Sequence, residues 1–430
     1  MTATLIAFFA ALALIFLRIP IGISLAIVGF AGLAFETGVK PAQAGLTALA
    51  QHGVMSYSLT VLPLFVLMGN LVAGAGISGN LFRTAQQFIG HRRGGLAMAT
   101  IVACGAFGAI CGSSVATAAT MSRVALPSMR DFGYSNRLAA ATLAAGGTLG
   151  ILIPPSIIMV IYAVATQTHI GMLFAGGILP GLLGVLGYIL TIKYVSWRNP
   201  DATPRGERVG WGQRLSSLRA IWPVVVLFGL VMGGIYSGMF TSTEAAGIGA
   251  GGALIFAMFA RSLTLSDIAR IFVDTAMVTG SMFMILIGAS AFVEFVNLTG
   301  VHTYLETLVR DSGVPAIGVI FIIVMIYIVL GSVMESMSMI LITVPVFFPI
   351  VMALGYDPVW FGLVVVIAVE VGLITPPIGI NLFVIRSVAP HISYRDIFAG
   401  VAPFVVADVI RIAIIALFPA IVLWLPQMMF

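Results

Sequence analysis

The chain has 430 residues, 60% of them hydrophobic and only 8% charged, with a net charge of +5. Soluble domains run at about a quarter charged residues, so this composition excludes an ordinary soluble protein and indicates a polytopic membrane protein. Its arginines fall in short polar segments and not in a nucleic-acid-binding patch, and the two cysteines, Cys104 and Cys111, two helical turns apart in an apolar stretch, imply neither a disulfide nor a metal site.

In chain order, residues 3–17 and 20–35 are apolar runs parted by Arg18-Ile19-Pro20, where a turn between two short spans is expected in preference to one kinked helix. The N-terminus lacks a basic n-region and its apolar run continues to Phe35, so no cleavable signal is expected. Residues 40–52 read as an interfacial arm and 55–78, with Pro63, as a span. Residues 94–120 are rich in Gly, Ala and Ser around Cys111-Gly112-Ser113-Ser114-Val115-Ala116-Thr117, which suits a tight helical hairpin that need not cross the membrane. Residues 137–165 carry Gly146-Gly147-Thr148-Leu149-Gly150-Ile151-Leu152-Ile153-Pro154-Pro155, an apolar run broken at its middle. A span at 171–192 precedes the longest hydrophilic stretch, 193–219. The second half repeats the order, with spans near 220–239 and 243–260, an arm near 261–273, a span near 275–298, a hairpin at 314–350, a broken segment at 359–388 and a last span at 395–426. That makes about ten spans and a pair of hairpins.

The break recurs as Gly372-Leu373-Ile374-Thr375-Pro376-Pro377-Ile378-Gly379, and one spacing of 222 residues links Pro154 to Pro376, Pro127 to Pro349, Gly133-Tyr134 to Gly355-Tyr356, Gly150 to Gly372 and His169-Ile170 to His391-Ile392. Each half therefore carries a copy of one duplicated unit: 1–195 and 219–430, joined by 196–218. Proline lacks an N–H and glycine holds a helix weakly, so each break frees carbonyls and amides at membrane depth. Such groups are tolerated where protein, a water-filled cavity or an ion satisfies them, and paired breaks in two halves point to a transport site. A lone proline kink buried against its neighbours would be a structural feature only; the duplication weighs against that reading.

Short loops rich in Lys and Arg stay in the cytoplasm. Lys193, Arg198, Arg205, Arg208, Arg214 and Arg219 place 193–219 there. The first hairpin is flanked by Arg83, Arg92, Arg93, Arg123, Arg130 and Arg137, the second by Arg310 with Glu306, Asp311 and Asp357, so equivalent loops are expected on opposite sides. The expected fold is an all-α polytopic membrane protein with inverted repeats, two re-entrant helical hairpins and two Pro-Pro-broken helices.

With these residues assembled, the chain resembles the large membrane subunit of the tripartite ATP-independent periplasmic (TRAP) transporters. The resemblance rests on Gly112-Ser113-Ser114-Val115-Ala116-Thr117, on Ala145 through Ser156, on Thr243-Glu244-Ala245-Ala246 and on Thr375-Pro376-Pro377-Ile378-Gly379, in the family's order across almost the whole chain. It implies an elevator-type symporter of the bacterial inner membrane, driven by sodium, that takes an organic acid from a soluble periplasmic binding protein. It also implies a small membrane subunit, expected as a separate chain because the N-terminus lacks the extra spans of fused versions. Sodium, the coupling ion, is the only metal implied, and no other cofactor is.

By the same resemblance, sodium would lie where each hairpin tip meets the break of its own half, held by backbone oxygens. The matching first-half positions are Gly108, Cys111, Gly112, Ser113 and Ser114 with Gly150, Ile153 and Pro154; the second-half positions are Gly331, Gly372, Thr375 and Ile378. Where the family often has Asp in the second hairpin this chain has Glu335. Ser113, Ser114, Thr117, Glu335 and Arg386 are the substrate candidates. Against them stand ordinary explanations: small hydroxyl residues let helices pack closely, and an arginine near a cytoplasmic end snorkels. Glu244 is expected to tie a turn, and Glu370 either to serve function or to face a subunit contact.

Among other functions, a channel would need a continuous polar pore, and a membrane enzyme would need a motif such as His-Glu-x-x-His, Gly-x-Ser-x-Gly or a phosphate loop, none of which occurs. The runner-up is a stand-alone sodium/dicarboxylate carrier of related hairpin architecture.

Overall fold

A computed structural model describes residues 2–260, 262–311 and 313–430, most of them helical. Helices α1 (Thr2–Phe16) and α2 (Ile21–Thr37) are parted by a turn in which Arg18 takes φ 65°, as the Arg-Ile-Pro sequence led us to expect. Then come α3 (Val39–Met55), a 3-10 turn at Tyr57–Thr60, α4 (Val61–Gly74), α5 (Ile77–Ile89), the first hairpin α6 (Gly95–Cys111) and α7 (Ser114–Asp131), the broken pair α8 (Asn136–Leu152) and α9 (Ile157–Thr166), and α10 (Ile170–Arg198). A non-helical strap over 203–210 leads into α11 (Trp211–Leu218), α12 (Trp222–Tyr236), α13 (Ser242–Phe259), α14 (Leu265–Leu298) and α15 (Val301–Asp311). The second hairpin is α16 (Ala316–Gly331) and α17 (Ser336–Ala353), the second broken pair α18 (Pro358–Leu373) and α19 (Ile380–Val388), and the chain closes with α20 (Tyr394–Leu417) and α21 (Ala420–Met429).

Three expectations differ from this outcome. The first hairpin runs on to Asp131, because Pro127 is accommodated inside α7 where a stop was expected near 120. The arm at 261–273 and the span at 275–298 form one continuous helix from Leu265, since no proline interrupts it, whereas the first half breaks at Ser56 between α3 and α4. Among the described residues, six helices are long and apolar enough to cross a membrane alone, with two further bent pairs. This is fewer than the expected spans, because α1, α2 and α18 have 15–17 residues each; at 1.5 Å per residue they fall short of a hydrocarbon core of about 30 Å.

Contacts between chain ends fix the inversion. On one face the strap lies on the feet of the first hairpin: the Gly206 N–H donates to the Gly90 carbonyl (3.1 Å), the Ser135 N–H to Ala202 (3.3 Å) and the Tyr134 hydroxyl to Pro204 (3.2 Å). On that same face Arg137, next to the start of α8, donates to the Ala399 carbonyl in the first turns of α20 (2.8 Å). At the other face the Tyr162 hydroxyl of α9 donates to the carbonyl of Pro358, where α18 begins (2.8 Å). The pair α8–α9 and the pair α18–α19 therefore enter from opposite faces and meet at mid-depth, which is what inverted repeats require.

The two broken pairs form the centre. Leu138 through Leu152 and Val359 through Leu373 are buried without interruption, as expected of helices apolar all round. Each hairpin packs on the broken pair of its own half, α6 and α7 on α8, and α16 and α17 on α18. A second group of helices, α2 against α14 and α4 against α13, packs beside them. There a Cβ at Gly29 would stand 2.5 Å from the Phe292 backbone nitrogen, the close approach that small residues allow between membrane helices.

Candidate functional site

The first hairpin turns at Gly112, which takes φ 65° at the C-terminus of α6. A side chain there would also meet the Pro155 carbonyl at 3.0 Å, so glycine is required twice over, by backbone and by space. Ser113 then caps α7, its hydroxyl accepting from the Ala116 N–H (3.4 Å). Across from this tip, proline at 154 and 155 leaves the carbonyls of Gly150 and Ile151 without their helical donors. The Ser156 hydroxyl takes the second of these at 2.5 Å. A Cβ at Gly108 would lie 2.6 Å from the Gly150 Cα, and one at Gly150 would lie 2.6 Å from the Thr117 Oγ1 and 2.9 Å from the Ser113 carbonyl oxygen. Of the expected positions Gly108, Cys111, Gly112, Ser113, Ser114, Gly150, Ile153 and Pro154, the hairpin residues Gly108, Gly112 and Ser113 thus lie directly against the break at Gly150 and Pro155. The Thr117 Oγ1, fully buried, has no hydrogen-bond partner.

The second half builds the same juncture differently. A Cβ at Gly372 would lie 2.7 Å from the Gly331 backbone, and the Gly379 N–H donates to the Ser332 carbonyl (3.0 Å), which ties break to hairpin directly. The Thr375 hydroxyl donates to Val371 (2.5 Å) and its N–H to Gly372 (3.0 Å). Gly331, Gly372, Thr375 and Ile378 are therefore neighbours, but Pro376 and Pro377 are exposed while Pro154 and Pro155 are buried. The second break is thus the more accessible of the two, though it is packed on its hairpin as the first is.

Both hairpin tips face one cavity of about 290 Å³, lined by Cys111–Ala116 from the first tip, Glu335–Met337 from the second, and Asn70, Val278 and Met282 from α4 and α14. Ser113, Ser114 and Glu335 line it; Thr117 and Arg386 do not. Glu335 stands 222 residues after Ser113 and plays the same part: its carboxylate caps α17, accepting from the N–H groups of Met337 (3.0 Å) and Ser338 (3.2 Å). An acidic side chain thus caps α17, whereas α7 is capped by a neutral serine. Arg386 is occupied elsewhere. It donates to the Ile392 carbonyl and lies over the Tyr394 ring at 5.2 Å, holding the turn after α19. Glu244 forms a reciprocal cap with Thr241 at the start of α13, so it does tie a turn.

Two features were missed in the sequence. Asn381 of α19, fully buried, donates to the Ser114 hydroxyl (2.7 Å) and to the Ala144 carbonyl (3.1 Å), so the second break reaches across to the first hairpin tip. A lone asparagine just past Pro-Pro-x-Gly was its only signal. The second is a buried ionic cluster in which Arg411 pairs with Glu370 (2.6 Å) and Asp408 (2.8 Å), Tyr188 donates to Asp408 (2.6 Å), and Thr148 lies 3.1 Å from the Tyr188 hydroxyl. Glu370 is fully buried and faces this cluster; the expectation of a subunit contact for it is corrected. Asp408 and Arg411, i and i+3 in an apolar run, were the overlooked signal.

The comparisons agree with this architecture. Residues 8–421 match the family described as the tripartite ATP-independent periplasmic transporter, DctM component. The chain is 36% identical over 373 residues to the C4-dicarboxylate TRAP transporter large permease protein DctM of Pseudomonas aeruginosa, covering 86% of each. It is 30% identical over 429 residues to the sialic acid TRAP transporter large permease protein SiaM of Vibrio cholerae, covering 98% of this chain and 97% of that one. Among solved structures it is similar in fold to the Alcanivorax borkumensis YdaH transporter, with a TM-score of 0.70 at 13% identity over 97% of this chain and 98% of the other.

Proposed function

The chain belongs to the DctM component family of the tripartite ATP-independent periplasmic transporters, and from that premise we propose that it carries an organic acid anion in symport with sodium. It is a transporter subunit and not an enzyme. The observation that carries the sodium reading is the meeting of each hairpin tip with the Pro-Pro break of its own half. At the first tip the donors are uncharged oxygens, a set suited to a hard monovalent cation that must be released again; at the second tip the Glu335 carboxyl is engaged as the cap of α17. In this reading the hairpins and broken helices move as one body to give alternating access, with 1–195 and 219–430 as the two repeats and 196–218 as their link. The names of two relatives, C4-dicarboxylate and sialic acid permeases, support a dicarboxylate or a sialic-acid type of sugar acid as cargo. The cavity would receive it at the serine-capped first tip, where Glu335 repels a second negative charge and so sets its orientation.

In this reading the chain lies in a bacterial inner membrane with 193–219 in the cytoplasm, beside a small membrane subunit and a periplasmic substrate-binding protein. The test is reconstitution with both partners and measurement of uptake. Uptake is expected with external sodium, to be lost with potassium or choline, and to ignore ATP. Uptake that needs no binding protein would favour a stand-alone sodium/dicarboxylate carrier.

Thr375→Val tests the second juncture. The Thr375 oxygen keeps a lone pair after donating to Val371, so its removal is expected to weaken sodium activation about tenfold, roughly 1.4 kcal/mol, at unchanged expression. An unaltered sodium dependence of uptake would make the break structural only.

A further inference from the structure

Arg214, on α11, is buried to 7% exposure without a carboxylate partner. Its nearest polar contact is the His91 Nδ1, 3.5 Å from the guanidinium, which also lies over the rings of Trp211 (5.1 Å) and Phe88 (6.0 Å); its Nε has no partner. The strap brings more positive charge to the same place. His91 is pulled below its ordinary pKa by loss of hydration and then by the fields of Arg214, Arg208 and Arg92. Glu207 lines the neighbouring cavity with Arg83, yet among the described residues none of these arginines forms an ion pair. A buried guanidinium without a counter-charge is costly, and among the described residues no carboxylate pairs with Arg214.

The setting indicates where an anion would come from. Trp211, Leu215 and Leu218 of α11 and Trp222 at the start of α12 are exposed, giving α11 an apolar face and an edge of indoles. Between α11 and α12 the chain bends by 48°. A short helix with one apolar face, tryptophans and a buried basic residue lies in the plane of the membrane interface, at the depth of lipid headgroups. We propose that Arg214, Arg208 and Arg92, with the His91 Nε2–H as a fourth donor, seat the phosphate of an anionic phospholipid from the leaflet on the strap side. The guanidinium fork matches phosphate oxygens two at a time, and the lipid pins the strap to the feet of the first hairpin. This site depends on membrane placement alone and not on sodium coupling, so the two can fail separately.

The experiment is native mass spectrometry of the full chain from detergent micelles holding equal phosphatidylglycerol and phosphatidylcholine. The parent is expected to retain phosphatidylglycerol about tenfold over phosphatidylcholine. The exposed double variant Arg92→Gln/Arg208→Gln is expected to lose that preference while keeping its melting temperature. Equal retention of the two lipids by the parent, or full preference in the double variant, would overturn the proposal. Binding of added inorganic phosphate without any lipid preference would assign the cluster to a soluble anion and overturn it as well.

Discussion

Replacing Arg411 with leucine is expected to destabilise the chain by about 3–5 kcal/mol, the usual result of removing one partner from a buried ion pair. The reason lies in the charge count at its site. Glu370 and Asp408 are both fully buried, at 0% and 1% exposure, and Arg411 is the cation between them. Without it, two carboxylates remain at membrane depth with only the Tyr188 hydroxyl as donor, and a buried charge with no counter-charge is far costlier than a neutral group of the same shape. A methyl at Gly184 would collide with the Arg411 guanidinium, so the room for this side chain is built into α10. The same physics predicts rescue. The triple variant Arg411→Met/Glu370→Met/Asp408→Leu carries no charge there, and its stability is expected to return to within about 1 kcal/mol of the parent, since replacing a whole buried ionic network by hydrophobic residues of similar volume is often close to neutral. Denaturant unfolding in micelles, followed by tryptophan fluorescence, reads both. An Arg411→Leu variant as stable as the parent would show that the carboxylates are compensated by groups other than Arg411.

That cluster also marks the limit of what the sequence discloses. The breaks, the hairpins and the inversion were legible because glycine, proline and arginine punctuate the chain locally and twice, and the 222-residue register turns two weak signals into one strong one. Glu370 and Arg411, by contrast, are brought together from helices 41 residues apart, and Thr148 and Tyr188 join them from the other half; nothing local announces that four helices converge there. Asn381 was missed for the same reason, because its partner Ser114 lies 267 residues away. Helices α5 and α15 were missed because amphipathic segments between hydrophobic spans read as loops when only apolar runs are followed. Arg386 was a substrate candidate by virtue of charge and depth, yet the turn after α19 occupies it.

The second large effect concerns Gly150. Its α-hydrogens face the first hairpin tip so closely that a Cβ would meet the Thr117 Oγ1 at 2.6 Å and the Ser113 carbonyl at 2.9 Å, while Gly108 presses its neighbouring backbone from α6. Of these contacts, the Ser113 carbonyl is backbone, which has no rotamer to give. Gly150→Val must therefore push the hairpin off the break, separating the oxygens of the first proposed sodium site by about 1 Å, a displacement that can cost on the order of 100-fold where geometry is shared among ligands. Overpacking of this kind costs only about 1–3 kcal/mol of stability, so the variant is expected to fold and insert. The expected result is sodium-driven uptake about 100-fold below the parent at near-normal expression. Gly251→Ala is the control, for a Cβ at Gly251 meets nothing within 4 Å, and alanine is a better helix former than glycine. If Gly150→Val transports like Gly251→Ala, the close contact between hairpin and break has no part in coupling, and the first juncture is a packing device alone.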